Sequence, residues 1–75
     1  METLLNVLKE IDGSIDWENE KRLIDDRIID SFEVISLISE LEDNFDIEID
    51  AEEIVPENLN SVESIWKMVQ RLQEN

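Results

Sequence analysis

The chain has 75 residues, a formal net charge of −15, and neither cysteine nor histidine. At this length the core is only just large enough to support one domain, residues 1–75, and the missing Cys and His remove disulfides, thiol nucleophiles, the commonest general base and the commonest metal ligand together. The acidity argues against binding nucleic acid or inserting into an anionic membrane, both of which need Lys and Arg, so the partners are expected to be basic.

In chain order, Met1–Ile11 reads as a first helix, because Leu4, Leu5, Leu8 and Ile11 recur at helical spacing. Asp12-Gly13 should end it, with Gly13 in the left-handed conformation that closes helices. From Ser14 to Ile29 no period fits, and the stretch reads as a long first loop pinned by Ile15, Trp17, Leu23, Ile24, Ile28 and Ile29. Trp17 is expected to plug the end of the bundle rather than to stack on a ligand.

Asp30–Phe45 reads as the central amphipathic helix. Val34, Leu37, Ile38, Leu41 and Phe45 fall on one side with Ile35 on its flank, while Phe32, Ser36, Ser39, Glu40 and Asp43 form an opposite side suited to contact. Asp30 is a good N-cap and Glu33, three residues on, completes a capping box, so the helix starts beside Ser31. Asp46–Asp50 alternates like a strand but has no partner strand, which makes it an extended connector that places Ile47 or Ile49 in the core. Asp50 and Glu53 repeat the cap pattern for a short third helix that Pro56 should stop, after which Leu59 anchors a loop. Asn60 or Ser61 then caps a last helix with Val62, Ile65, Trp66, Val69 and Leu72 as its apolar stripe, and Lys67 and Arg71 suit the negative end of its dipole. The fold class is all-α, a four-helix bundle with three longer helices, one short third helix and a long first loop. No apolar run approaches the ~18 residues of a membrane span, and the beginning of the sequence lacks the order of a signal peptide. A cytoplasmic monomer is expected.

The charges are uneven. Between Ile28 and Trp66 there is no Lys or Arg, while twelve carboxylates from Asp30 to Glu63 lie there, so the second and third helices should form an acidic face. A calcium loop does not explain them: over Asp12–Leu23, Gly13 falls at position 2, Trp17 at 6 and Leu23 at 12, where an EF-hand needs Gly at 6 and Glu at 12. An acidic adaptor, or a mimic of nucleic acid that fills a basic groove, would use the same face.

Asp30-Ser31-Phe32-Glu33 opening an apolar helix, Glu40-Leu41-Glu42 in its middle, Phe45-Asp46-Ile47-Glu48-Ile49 closing it, and a short capped helix before Val62 together resemble the acyl carrier proteins over the whole chain. The resemblance implies that Ser31 receives 4′-phosphopantetheine, whose thiol holds an acyl or aminoacyl group as a thioester. It implies a carrier and not an enzyme, with a phosphopantetheinyl transferase, a loading ligase and a downstream acyltransferase or synthase as partners. A phosphodiester on Ser31 would lie at a helix N-terminus, which favours negative charge by ~0.3–1 kcal/mol at a surface. With no His to activate it, Ser31 is a substrate that another enzyme must deprotonate. Partners acting at the root of the arm should meet Asp30, Phe32, Glu33, Ser36, Ser39, Glu40 and Asp43, with Phe32 entering an apolar notch and Glu40 and Asp43 steering the approach. The other reading of Phe32 folds it back on Ile28 or Ile29.

Two departures bear on subtype. Fatty acid carriers usually have Gly three residues before the serine, where this chain has Ile28. The run Leu23–Ser31 is more similar to stand-alone carriers of D-alanyl transfer and related pathways, although those often have Gly where Arg27 stands. The loading enzyme, not a motif on the carrier, selects the cargo.

Overall fold

Each helix forms where an apolar face meets a start signal, and the core is what those faces bury. The computed structural model describes residues 2–74, with α1 at Glu2–Ile11, α2 at Ser31–Phe45, α3 at Pro56–Leu59 and α4 at Val62–Gln73. No strand occurs among the described residues. The expectation for Met1 lies outside them. α1 buries Leu4, Val7 and Leu8, α2 buries Leu37 and Leu41, and α4 buries Val62, Ile65, Met68 and Val69. At about 1.5–3 kcal/mol per fully buried large apolar side chain, this shared core is the main favourable contribution to folding. α1 packs on α2, α3 packs on α4, and α2 meets α4 more lightly. Met68 replaces Trp66 and Leu72 at the centre of the α4 stripe, and those two stay half-buried. Trp66 meets Phe45 edge to face, with ring centroids 5.9 Å apart.

Trp17 is only 1% exposed and Leu23 is fully buried, so the long first loop is held by its own apolar residues. Polar ties complete the attachment. The Trp17 indole N–H donates to the Asp12 carbonyl at 2.9 Å, and Asn60 Oδ1 accepts from the Ile24 and Asp25 N–H groups at 3.0 and 3.1 Å. The Leu23 N–H donates to the Asn60 carbonyl at 3.0 Å. Asn60 is therefore the clasp between the loop and the α3–α4 junction, while Ser61 caps α4 through its hydroxyl and the Ser64 N–H.

The end of α1 differs from expectation. Gly13 does not adopt a positive φ; the left-handed residues are Arg27 (φ 55°) and Asp46 (φ 52°). Asp12 closes α1 locally, its carboxylate accepting from the Ser14 N–H at 3.0 Å. Arg27 ends a helical turn in the loop: Ile28 N–H donates to the Leu23 carbonyl at 3.0 Å and Arg27 N–H to the Ile24 carbonyl at 3.1 Å. That 6→1 and 5→2 pair is a Schellman motif with Arg27 at the position glycine usually fills. A glycine here would be free of the steric cost that Arg27 bears.

The third helix also begins later than the cap pattern suggests. Asp50 makes no side-chain cap, Ala51–Glu53 form a single 3-10 turn, and Pro56 starts α3 instead of stopping it, with Leu59 buried at its end. Proline suits the first helical position because its missing N–H would have no partner there anyway. Glu53 does not cap either, but forks onto Arg71, so Arg71 links α4 to this turn in addition to any interaction with its helix dipole. Before the turn, the extended connector buries both Ile47 and Ile49, and Glu42 accepts the Ile49 N–H at 2.9 Å.

Candidate functional site

The start of α2 is fixed by a reciprocal cap. Asp30, in extended conformation, accepts the Glu33 N–H at 2.9 Å, and Glu33 Oε1 accepts the Asp30 N–H at 3.4 Å. Ser31 is the first residue of the helix and is exposed. Because the cap takes only the Glu33 donor, the N–H groups of Ser31 and Phe32 remain in a first turn that offers them no intrahelical acceptor. The hydroxyl of Ser31 thus stands in solvent at the positive end of a 15-residue helix.

Two hollows flank this serine. On one side a groove of about 470 Å³ is lined by Ile24, Ile29, Val34, Ile35, Ile38 and Ile54, with Asp30 and Ser31 as its two polar residues. On the other, a hollow of about 410 Å³ is lined by Glu10, Ile11, Phe32, Glu33, Ser36 and Glu40. The first is an apolar slot and the second a mixed, acidic surface. Phe32 is 81% exposed, so it does not fold back on Ile28 or Ile29, and Ile35 is 67% exposed. Both extend into solvent beside Ser31, where covering them would remove apolar surface from water.

Asp30, Phe32, Ser36, Ser39, Glu40 and Asp43 are exposed and Glu33 is half-buried. Phe32, Glu33, Ser36 and Glu40 share the acidic hollow and Asp30 joins the groove, whereas Ser39 and Asp43 line neither. Glu40 is engaged on its own helix, accepting from the Asn44 amide through its carbonyl at 2.8 Å and its carboxylate at 3.3 Å.

Glu33 faces the end of α1. Burial raises its carboxyl above the ordinary value, and a hydrogen bond shared with Asp12 adds to the rise. The Ser14 hydroxyl and N–H hold Asp12 below its own, with Glu33 contributing.

Sequence reasoning missed the groove. Ile54 is 40% exposed and closes the slot opposite α2. A helical wheel shows that Ile35 lies on a flank, but not that the neighbouring short helix leaves that flank uncovered. The signal available was the number of isoleucines: Ile24, Ile29, Ile35, Ile38 and Ile54 line the groove with Ser31, and only Ile29 of them is buried.

Among the described residues no group of His, Cys, Asp and Glu is placed to hold a metal ion, and no helix is long and apolar enough to cross a membrane. No family model matches the chain and no solved structure matches it. Among known proteins, the acyl carrier protein of Buchnera aphidicola subsp. Baizongia pistaciae (strain Bp) is 42% identical over 53 residues, covering 71% of this chain and 65% of that protein. The match spans a little under two thirds of the relative's length.

Proposed function

The chain belongs to the acyl carrier protein family, and from that premise we propose that it carries an acyl group as a thioester on 4′-phosphopantetheine attached to Ser31. The observation that carries the reading is the position of Ser31: an exposed hydroxyl on the first turn of α2, at the mouth of an apolar groove.

The residues present fit the group. First-turn N–H groups outside the capping box favour the negative charge of a phosphodiester, and the exposed hydroxyl leaves room for an enzyme to reach it. The prosthetic group would supply a thiol, which the chain itself lacks. Ser31 has no imidazole beside it, and Asp30 is committed to the cap. The hydroxyl proton must therefore leave to a base on the transferase, and the chain acts as substrate and carrier rather than as enzyme. Six aliphatic side chains around the groove favour a cargo with a hydrocarbon portion over a small charged aminoacyl group, since an ammonium there would lose water without gaining a partner beyond Asp30. A transferase, a loading ligase and a downstream acyltransferase or synthase would approach across Phe32, Glu33, Ser36, Ser39, Glu40 and Asp43.

Thiol titration tests the reading directly, because the chain contains no cysteine. Incubation with coenzyme A and a phosphopantetheinyl transferase should produce one reactive thiol per chain, and Ser31→Ala should produce none. A chain that gains no thiol would instead be an unmodified acidic adaptor.

A further inference from the structure

The groove beside Ser31 has one wall built into the bundle and one wall that is not. α2 supplies the first through Val34, Ile35 and Ile38, on the same helix as the buried Leu37 and Leu41. Ile54 supplies the second, and Ile24 and Ile29 of the first loop complete the lining. Ile54 follows the 3-10 turn Ala51–Glu53 directly, and the helix after it packs on α4, with at most slight contact to α2. α2 itself therefore does little to fix where Ile54 stands.

The residue before it is fixed from behind. Glu53 receives both terminal nitrogens of Arg71, Nη1 to Oε2 at 2.9 Å and Nη2 to Oε1 at 2.6 Å. The Asn58 amide donates to the same residue, to the carbonyl at 2.8 Å and to Oε1 at 3.1 Å. The fork is bidentate, a geometry that lysine cannot reproduce. It joins α4 to the turn that carries Ile54, across 18 residues of sequence. A half-exposed ion pair contributes little to the stability of a whole domain. Little is needed to choose between positions of a turn whose exposed Ile54 is only lightly held by α2.

We propose that the Arg71–Glu53 fork positions the Ile54 wall and thereby sets how long an acyl chain the groove accepts. Arg71 and Glu53 are positioning residues: neither lines the groove, and they act through Ile54. The inference rests on the carrier reading of Ser31 and adds to it the residues that select cargo length.

The test loads Ser31 of the full chain with saturated acyl-phosphopantetheines of increasing length, using a transferase and the corresponding acyl-coenzyme A series, and records the melting temperature of each product. In the native chain the melting temperature should climb with chain length and then level once the slot is full. In Arg71→Gln the climb should be shallower and should level at a longer chain, while the unloaded protein melts within a few degrees of the native one. Glu53→Gln, which keeps an acceptor for Asn58, should behave alike. The exchanged pair Glu53→Arg with Arg71→Glu should return the levelling point toward the native length, and Arg71→Lys should fall between. An unchanged levelling point in both single variants overturns the positioning role. A native chain that loads but shows no rise with length overturns the inference while leaving the carrier reading intact, whereas failure of Ser31 to load overturns both.

Discussion

The two sides of α2 have similar residues and opposite fates. Leu37 and Leu41 are sealed against the rest of the core, while Val34, Ile35 and Ile38, as apolar and on the same helix, border an open slot, with Ile35 67% exposed. The difference lies in the neighbours: α1 and α4 lie against one side, and the other meets no long helix, only Ile24 and Ile29 of the first loop and Ile54 after a short turn. Apolar side chains left uncovered beside an exposed hydroxyl cost the fold burial it could have had, and that is where a ligand-binding surface is to be sought.

The largest effect should come from truncating each side in turn. Leu41→Ala should lower the unfolding free energy by about 2–5 kcal/mol through lost transfer and a residual cavity, read as a lower urea midpoint. Ile35→Ala should change it by no more than about 0.5 kcal/mol, yet should reduce the melting-temperature gain on acyl loading. Equal losses for the two would erase the distinction.

Arg27→Gly is expected to stabilise the chain. Releasing a non-glycine residue from the left-handed region recovers roughly 1–2 kcal/mol, and the greater freedom of glycine in the unfolded chain removes roughly 0.4–1 kcal/mol of that. The net gain, about 1 kcal/mol, would appear as a higher urea midpoint.

Phe32 sharpens the comparison by kinetics. Being 81% exposed, it should leave the melting temperature unchanged on Phe32→Ala while speeding dissociation from the transferase. Reversal of charge at Glu40 and Asp43 should slow association and weaken its salt dependence. A loss of stability without a change in either rate would assign Phe32 to the fold instead.

The smallest effect is that of pH. Glu33 titrates above its ordinary 4.5, chiefly because of burial, so the folded chain takes up this proton before the unfolded one and gains stability as pH falls from neutrality. Glu53 and Glu63 are held below theirs, first by hydrogen bonds from Arg71 and Lys21, and Asp12 below its 3.8 by Ser14. Stability from these three is intact above the ordinary carboxylate values and is lost as pH falls through the depressed ones. Thermal stability should therefore rise as pH falls from neutrality, reach a maximum in acid, and drop once the depressed carboxylates are protonated, and moderate salt should raise it at neutral pH by screening a net charge of −15. Glu33→Gln, which can still accept the Asp30 N–H, should flatten the limb between the peak and neutrality. A peak at or above neutral pH would contradict this assignment.

Helices α1, α2 and α4 were legible in the sequence because periodicity and capping act within a few residues. The capping box of Asp30 and Glu33 and the burial of Trp17 follow from such local rules. The left-handed turn did not follow: one glycine was available, yet Arg27 and Asp46 take that conformation because tertiary packing of Leu23, Ile29 and Ile47 outweighs the local preference. The Glu53–Arg71 fork and the groove were hidden for a similar reason, since both join segments that are distant in sequence. Ser31 could be singled out from its place at the helix start, but the slot beside it needed three dimensions.

The most direct measurement is the site of modification. After reaction with coenzyme A and a phosphopantetheinyl transferase, fragment masses of the intact chain should place one phosphopantetheine on Ser31, and none on Ser14, Ser36, Ser39, Ser61 or Ser64. Phosphopantetheine on any other serine, or a chain that stays unmodified under conditions that modify another acyl carrier protein, would contradict the account.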